Sequence, residues 1–309
     1  MILTKKMDPR LLYSFTRKNF WFLVVSCTIT AICILYFDIN TEQLKTLSFP
    51  TGVIGTALAF LIGFRNNSAY DRWWEARKIW GKLINDSRHF SLKTIGFLSN
   101  QRNEKLSAEE IKSAQKRLIY RHIAFVWAVN KHLRKLEWKN TIKEFISEQE
   151  FNLLKKEQHI PLAILKNQTL DIKSLREQNY FDDFRYMGFD AIMENFNDAL
   201  GKSERIKNTV FPMQYNWYMQ YAIWVFLIIL PLSLSGFVGL WFLPLSFLIG
   251  YVFILLEYLG RHIENPFENH PNDTPLDSIS RTIEINLKEV LGEKNLPKKI
   301  EPLDGKYLM

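Results

Sequence analysis

The chain has 309 residues, and its 40 Lys and Arg outnumber its 32 Asp and Glu, which gives a formal net charge of +8. Two cysteines exclude a disulfide-rich scaffold, 13 glycines exclude a collagen, and a hydrophobic fraction of 47% excludes a disordered chain. These averages are typical of a soluble protein, but they hide how the charged residues are distributed along the chain.

Charged residues are absent from three long stretches, residues 19–37, 46–64 and 208–256. A helix crosses the hydrocarbon core of a bilayer, roughly 30 Å thick, with about 20 apolar residues. The first two stretches are each long enough for one such helix, and the third is long enough for two helices joined by a tight turn. We therefore predict four transmembrane helices, with the turn near Gly236 and Gly239.

The basic residues that flank these stretches predict the orientation of the chain. Residues 1–18 carry five Lys or Arg, and the segment after the second stretch begins with Arg65 and Arg72. The turn within the third stretch has no charge. Because positive charge beside a membrane span stays in the cytoplasm, we expect both termini and residues 65–207 to be cytoplasmic.

Residues 65–207 are predicted to be helical almost throughout, because apolar residues recur at helical spacing and Pro161 is the only proline. The pattern from Ser107 to Glu110 is typical of a helix N-cap and first turn. A last helix is predicted over residues 276–291. The sequence thus predicts an all-α, polytopic membrane protein with a large helical cytoplasmic region. Its segments are 1–64 (N-terminus and two spans), 65–207 (cytoplasmic region), 208–258 (two further spans) and 259–309 (cytoplasmic loop and helix).

The sequence lacks the common motifs of enzymes. It has no glycine-rich phosphate loop, no Gly-x-Ser-x-Gly and no His-Glu-x-x-His. Its basic residues form no clustered face of a nucleic-acid-binding module. A metal site built from His262 with Glu257 or Glu264 is less expected than simple anchoring of a helix end by these polar residues. We predict no catalytic residue, no metal, no cofactor and no nucleic-acid partner, which leaves transport, signalling and scaffolding.

The second predicted span carries two parallel stripes. Small residues recur every four positions along one side, at Gly55, Ala59 and Gly63. A second stripe, about 100° around the helix, consists of Thr56, Phe60 and Phe64. In a symmetric ring with the second stripe facing the axis, these side chains would form a hydrophobic constriction that gates by dewetting. Ordinary core packing has the same spacing, and on spacing alone it is favoured.

A distinctive motif begins where this span ends. It reads FRNNSAYDRWWEAR over residues 64–77, with SFP at 48–50, GKSER at 201–205 and ENPF at 264–267 in the same order along the chain. Together these segments resemble the signature of the bestrophin family, in particular its prokaryotic members.

The resemblance implies a homopentameric ion channel in the bacterial inner membrane that conducts monovalent ions passively across the lipid bilayer. It implies a single central pore with a narrow neck in the second span and a cytoplasmic aperture. Matched by position, the neck falls on Thr56, Phe60 and Phe64. Relatives tend to have an apolar residue at the position of Thr56, so a ring of Thr56 side chains in the neck would hold water more readily.

The aperture is placed by the resemblance at Phe184. If Asp182 and Asp183 beside it faced the pore axis, a ring of carboxylates would favour cations. Acidic residues equally suit the first turn of a helix. The family includes chloride channels and cation-permeable members, and these carboxylates favour a cation-permeable channel for this chain. The alternative function is a membrane-anchored regulator or scaffold without conductance.

The residues just after the neck have two possible roles. Asn66, Asn67 and Ser68 either line the inner mouth of the pore or satisfy backbone groups and neighbouring helices at the membrane boundary. Arg65 is expected to extend its charge to the interface with water.

The loop after Phe267 bears on calcium. Animal bestrophins, to which the chain is also similar, have a dense acidic run here that helps to form a calcium clasp. This chain has only Glu268 and Asp273 over residues 268–273. Because calcium takes six to eight oxygen ligands, we predict no calcium activation of the eukaryotic kind.

Overall fold

The computed structural model describes residues 9–37, 41–100, 103–104, 106–209 and 213–302. All of the regular elements in these residues are helical, which confirms the predicted all-α fold.

The described residues contain eleven α-helices and three short 3-10 turns. The helices are α1 (Pro9–Tyr36), α2 (Thr41–Leu44), α3 (Ser48–Phe97), α4 (Ala108–Leu133), α5 (Lys139–Ile142), α6 (Glu148–Leu154), α7 (Ile160–Glu177), α8 (Asp183–Asn208), α9 (Met213–Val238), α10 (Phe242–Ile263) and α11 (Leu276–Val290). The turns are Lys45–Leu47, Lys143–Phe145 and Gly239–Trp241.

Three stretches of the described chain are long and apolar enough to cross a membrane, Thr16–Tyr36, Thr41–Phe97 and Gln214–Ile263. The third stretch contains both α9 and α10, so the three stretches together hold four long helices, α1, α3, α9 and α10. This agrees with the number of helices predicted from the gaps in charge.

The turn between α9 and α10 lies at Gly239, whose φ of 53° is one that side chains with a Cβ rarely adopt. Gly236, the other predicted turn residue, remains inside α9. Its role is to allow a close approach, because a Cβ there would lie 2.6 Å from the carbonyl oxygen of Thr41.

Helix α3 is longer than the apolar stretch that predicted it. The charges that begin at Arg65 end the apolar segment, but they do not end the helix, which continues to Phe97. No proline interrupts residues 65–97, so nothing local stops the helix.

The helix start predicted at Ser107 is confirmed. The Ser107 hydroxyl accepts a hydrogen bond from the Glu110 N–H, and the Glu110 carboxylate accepts one from the Ser107 N–H, as in a capping box. Helix α7 begins just before Pro161, with the side chain of His159 as its cap.

The described chain packs as two units. The apolar unit comprises the described residues up to Trp73 together with Thr209–Asn265, and the polar unit comprises Trp74–Asn208 together with the described residues after Asn265. The segment boundaries predicted at residues 64/65 and 258/259 lie where charged residues begin. The boundaries of the two units lie instead where the packing between residues changes.

Aliphatic side chains of α1, α3, α9 and α10 form the core of the apolar unit. Gly250 on α10 shows how closely these helices approach one another. A Cβ at Gly250 would lie 2.8 Å from Leu23 on α1 and 2.9 Å from Leu227 on α9. Small residues at such positions are what permits tight helix packing in a membrane protein.

A buried ionic network joins α3 to α10 within the apolar unit. Arg65 is 1% exposed, and its two terminal nitrogens lie 3.3 Å from a Glu257 oxygen and 2.8 Å from a Glu264 oxygen. Glu257 also accepts a hydrogen bond from Arg261, which donates in turn to Gln220 at 2.8 Å. The expectation that Arg65 extends to the water interface is therefore wrong, because two carboxylates on α10 hold it inside the unit.

The polar unit has its own core around α4, much of which is enclosed by its neighbours. Trp80 is fully buried there. His122 lies in the same core, with Nε2 2.9 Å from the Ser87 hydroxyl and its ring stacked on Phe196 at 4.1 Å between centroids. Burial lowers the pKa of His122 to about 3, so the ring is neutral in the folded protein.

Helix α11 docks on α4 through polar side chains as well as apolar ones. Asn130 donates to Asp277 at 2.9 Å, and Arg134 pairs with the other oxygen of Asp277 at 2.7 Å. The indole N–H of Trp127 donates to Glu284 at 3.1 Å. These contacts join residues far apart in the chain and satisfy polar groups that the core would otherwise leave unpaired.

We predict that Arg65→Ala lowers the free energy of unfolding by about 3–5 kcal/mol, because it leaves Glu264 buried without its cation. Thermal unfolding of the detergent-solubilised protein measures the change. The matched control is Arg205→Ala, which removes an exposed pair with Glu75 and should cost less than about 1 kcal/mol. Equal stability of the Arg65 variant and the wild type would contradict a structural role for this network.

We predict a second effect on stability, which depends on pH through His122. Below its ordinary pKa of 6.5, this residue takes up a proton in the unfolded chain but not in the folded one until about pH 3. The free energy of unfolding should therefore fall by roughly 1 kcal/mol per pH unit across this window as the pH is lowered. Denaturation of wild type and His122→Asn at several pH values tests this, and an identical dependence on pH in both would refute it.

Candidate pore-lining site

Two faces of α3 differ in their surroundings within the apolar unit. Leu58, Ile62 and Arg65 are buried against neighbouring helices. Phe60 and Phe64, by contrast, are 65% and 56% exposed. The predicted neck residues therefore lie on the side of α3 that the rest of this chain leaves uncovered.

The buried side of α3 determines where the exposed side points. Consecutive residues on a helix are separated by about 100° around its axis. Because Arg65 is held by Glu257 and Glu264, the preceding residue, Phe64, is directed away from α10. Phe60, one turn earlier, shares that direction.

The neck stripe has a defined local geometry. The rings of Phe60 and Phe64 meet edge to face, with centroids 4.4 Å apart and planes at 89°. The Thr56 hydroxyl donates to the carbonyl oxygen of Gly52 at 2.9 Å. Its proton is thus used within the helix, and the hydroxyl oxygen remains available only as an acceptor.

A shallow groove extends along the same face of α3, from the stripe towards the N-terminus of the helix. Its lining is apolar or small, with Phe49, Gly52 and Val53 beside Thr56 and Phe60. The groove contains no charged side chain. An ion near this groove would therefore meet no fixed countercharge among its lining residues.

The stripe of small residues has one clear packing partner. Gly55 approaches Phe226 on α9, where an added Cβ would lie 3.1 Å from the ring. A Cβ at Gly63 would meet nothing within 4 Å. Within one chain, Gly55 is therefore the position of this stripe at which another helix approaches closely, as predicted, whereas Gly63 is not.

The residues after the neck divide between the two roles considered for them. The amide of Asn66 donates to the carbonyl oxygen of Leu256 at 2.9 Å, and its oxygen lies where a side chain at Gly260 would be, 2.1 Å from the position of a Cβ. Asn66 therefore satisfies the neighbouring helix. Asn67 and Ser68 are exposed, and their part in an inner pore mouth stays a prediction.

The predicted aperture residues lie at the start of α8 in the polar unit. Phe184 is 87% exposed. Asp182 accepts a hydrogen bond from the N–H of Arg185 at 2.8 Å, and Asp183 pairs with Arg176 at 2.7 Å. Both acidic side chains thus support the helix start, which is the alternative role that acidic residues suit, while the exposed ring of Phe184 stays a candidate aperture.

The structure also shows which residues are placed to hold a metal. Glu257 and Glu264 both pair with Arg65, and with His262 they do not form a group with the spacing of metal ligands among the described residues. Among the described residues, one group has the spacing of metal ligands, at His132, His159 and Glu204. Sequence reasoning missed this group because its members lie on three different helices, with no short motif to reveal them.

Comparison with known proteins identifies the family of the chain. The sequence model of the family described as bacterial/fungal bestrophin protein matches residues 4–289. A voltage-dependent anion channel-forming protein of Ralstonia nicotianae is 27% identical over 276 residues, which cover 89% of this chain and 87% of the relative. The voltage-dependent anion channel-forming protein YneE of Escherichia coli is 30% identical over 257 residues, covering 82% of this chain and 80% of YneE.

A solved structure shares the fold over nearly the same extent. It is a crystal structure of a bacterial bestrophin homologue from Klebsiella pneumoniae, with a TM-score of 0.79 and 27% identity, and it covers 89% of this chain and 100% of that one. Because sequence and fold agree over most of its length, this chain belongs to the bacterial and fungal bestrophin family.

Proposed function

We propose that this chain is one subunit of a homopentameric ion channel whose neck is formed by Thr56, Phe60 and Phe64. The observation that carries the proposal is the exposed aromatic stripe on α3, opposite the face that Arg65 holds inside the unit. Membership in the bestrophin family and the names of its relatives support a channel in the membrane.

The neck acts as a barrier because its two Phe rings offer ions nothing in place of their water. In a fivefold ring, each subunit would supply two aromatic rings that meet edge to face, and no charge. A narrow apolar constriction expels water, and the channel is closed to ions while it is dry. Flow through the wetted neck would be passive, driven by the gradient of monovalent ions. No enzymatic step belongs to this function.

The orientation proposed for the subunit follows from its basic flanks. Lys and Arg are concentrated in residues 1–18 and again from Arg65 onward. This distribution supports a multi-pass protein of the bacterial inner membrane, with both termini in the cytoplasm.

Permeation by cations is supported at two places. The Thr56 oxygen is an acceptor, so a ring of such oxygens would replace part of the water around a cation. Between the end of α7 and the start of α8, the three carboxylates of Glu177, Asp182 and Asp183 outnumber the two arginines, Arg176 and Arg185. A ring of these segments around Phe184 would carry a small excess of negative charge.

Anion conduction is a second candidate. Relatives carry the name voltage-dependent anion channel-forming protein. The pairing of Asp183 with Arg176 also reduces the field that this carboxylate contributes. The reversal potential distinguishes the two candidates.

We predict that Phe60→Ala and Phe64→Ala each raise the open probability, because removing a ring widens the constriction and favours its wetting. Single-channel recording of the purified protein in planar bilayers measures this. Leu61→Ala is the matched control, since Leu61 is also partly exposed on α3 but lies away from the stripe. Unchanged gating in both Phe variants would refute the placement of the neck.

We predict that the reversal potential under a KCl gradient lies near the potassium equilibrium potential. Asp182→Asn should shift it towards zero, since asparagine also caps a helix and only the charge is lost. Asp198→Asn makes the same charge change elsewhere on α8 and should leave it unaltered. A reversal near the chloride potential would favour anion conduction. A folded sample without any current would instead favour the membrane-anchored regulator or scaffold.

A further inference from the structure

Three side chains with metal-binding chemistry converge in the polar unit, and none of them is a candidate neck or aperture residue. His132 lies in the last turn of α4, His159 caps α7, and Glu204 lies on α8. Nε2 of His132 is 2.8 Å from Oε1 of Glu204, and Nε2 of His159 is 2.7 Å from the same oxygen. The candidate ligand atoms all lie within 4.8 Å of one another. Nothing in the proposed channel function uses this cluster.

The surroundings leave room for an ion and for its water. A cavity of about 350 Å³ borders His132 and Glu204. Three lysines lie on its wall, and two of them have acidic neighbours, since Lys207 pairs with Glu268 at 2.6 Å and Lys131 lies 3.6 Å from Asp277, which also pairs with Arg134. A cation arriving at Glu204 therefore meets less repulsion than the lysine content of the wall suggests.

We propose that His132, His159 and Glu204 form a binding site for a late first-row divalent metal ion, with zinc as the best match. Two imidazole nitrogens and one carboxylate oxygen are a common ligand set for zinc, in sites that leave a fourth position to water. The bordering cavity would hold that water. Magnesium, which prefers oxygen ligands in octahedral geometry, does not fit.

Binding requires only a small opening of the cluster. Without metal, the imidazoles are held to Glu204 by hydrogen bonds. Ligands at about 2.0–2.2 Å from a tetrahedral zinc ion are separated from one another by roughly 3.3 Å. Each imidazole would therefore move outward by about half an ångström from its contact with Glu204. Both histidine side chains are about one-third exposed and border open space, so this movement meets little resistance.

Metal binding at His159 would affect the N-terminus of α7, because the same side chain caps that helix. Nδ1 of His159 accepts a hydrogen bond from the N–H of Leu162 at 3.2 Å, so the ring proton resides on Nε2 and is donated to Glu204. A metal bound at Nε2 uses the lone pair of that nitrogen, so the proton of the neutral ring must then reside on Nδ1. The Leu162 N–H loses its acceptor in the process. Metal binding and the cap of α7 are therefore alternatives.

Zinc titration of the detergent-solubilised full-length protein, freed of metal with a chelator, tests the proposal by calorimetry. We expect one zinc ion per chain and no heat of binding for magnesium. Glu204→Gln and His159→Asn should each weaken zinc binding by about 100-fold or more, since even the loss of a group that only supports a ligand costs 10–100-fold. Asparagine at 159 still caps the helix, so this variant separates metal binding from folding.

His89→Asn is the matched control, because His89 is exposed on α3 and lies outside the cluster. It should bind zinc as the wild type does. Hydrogen exchange supplies a second measurement, in which zinc should accelerate exchange of the Leu162 amide. Absence of stoichiometric binding, or equal affinity in the wild type and the His159 and Glu204 variants, would overturn the proposal. Neither measurement uses conductance, so the result stands apart from the channel function.

Discussion

The buried ion pair between Arg65 and Glu264 is the interaction on which the arrangement of the apolar unit depends. Removing a charge from water is costly and is tolerated only where an opposite charge meets it in good geometry. Helix α3 therefore has one favourable rotation about its axis, in which Arg65 reaches Glu257 and Glu264 on α10. Each neighbouring side chain on α3 takes its direction from that rotation, at about 100° per residue. The exposed positions of Phe60 and Phe64 are a consequence of this constraint.

Asn66 reinforces the same arrangement from the next position along the chain. It donates to a carbonyl oxygen of α10 and occupies the space above Gly260, where any side chain would collide with it. The network is thus both electrostatic and steric. Such networks contribute little net stability compared with apolar packing, but they penalise other rotations strongly, because a misplaced helix would leave charged groups unpaired. In the channel we propose, this specificity would keep the aromatic stripe in register in every subunit.

Polar contacts serve different purposes in the two units. In the apolar unit they orient one helix, α3, whose exposed stripe at Thr56, Phe60 and Phe64 carries no charge. In the polar unit they join segments that are far apart in the chain. For example, Asp277 on α11 accepts a hydrogen bond from Asn130 on α4 and pairs with Arg134 at the end of that helix. The acidic residues at the start of α8 belong to the second kind, since Asp182 caps the helix and Asp183 pairs with Arg176. Any influence of these carboxylates on permeating ions would be exerted by side chains that also hold a helix start.

The sequence by itself determined the four apolar helices, the helical polar region and the capping box at Ser107, because these depend on composition and on contacts within a few residues. The family motif also predicted by position which residues form the neck. Tertiary structure decided the rest. The burial of Arg65, the contact of Asn66 with α10 and the meeting of His132 with Glu204 all join residues far apart in the chain. No local spacing encodes such contacts, because they arise only when separate helices pack against one another.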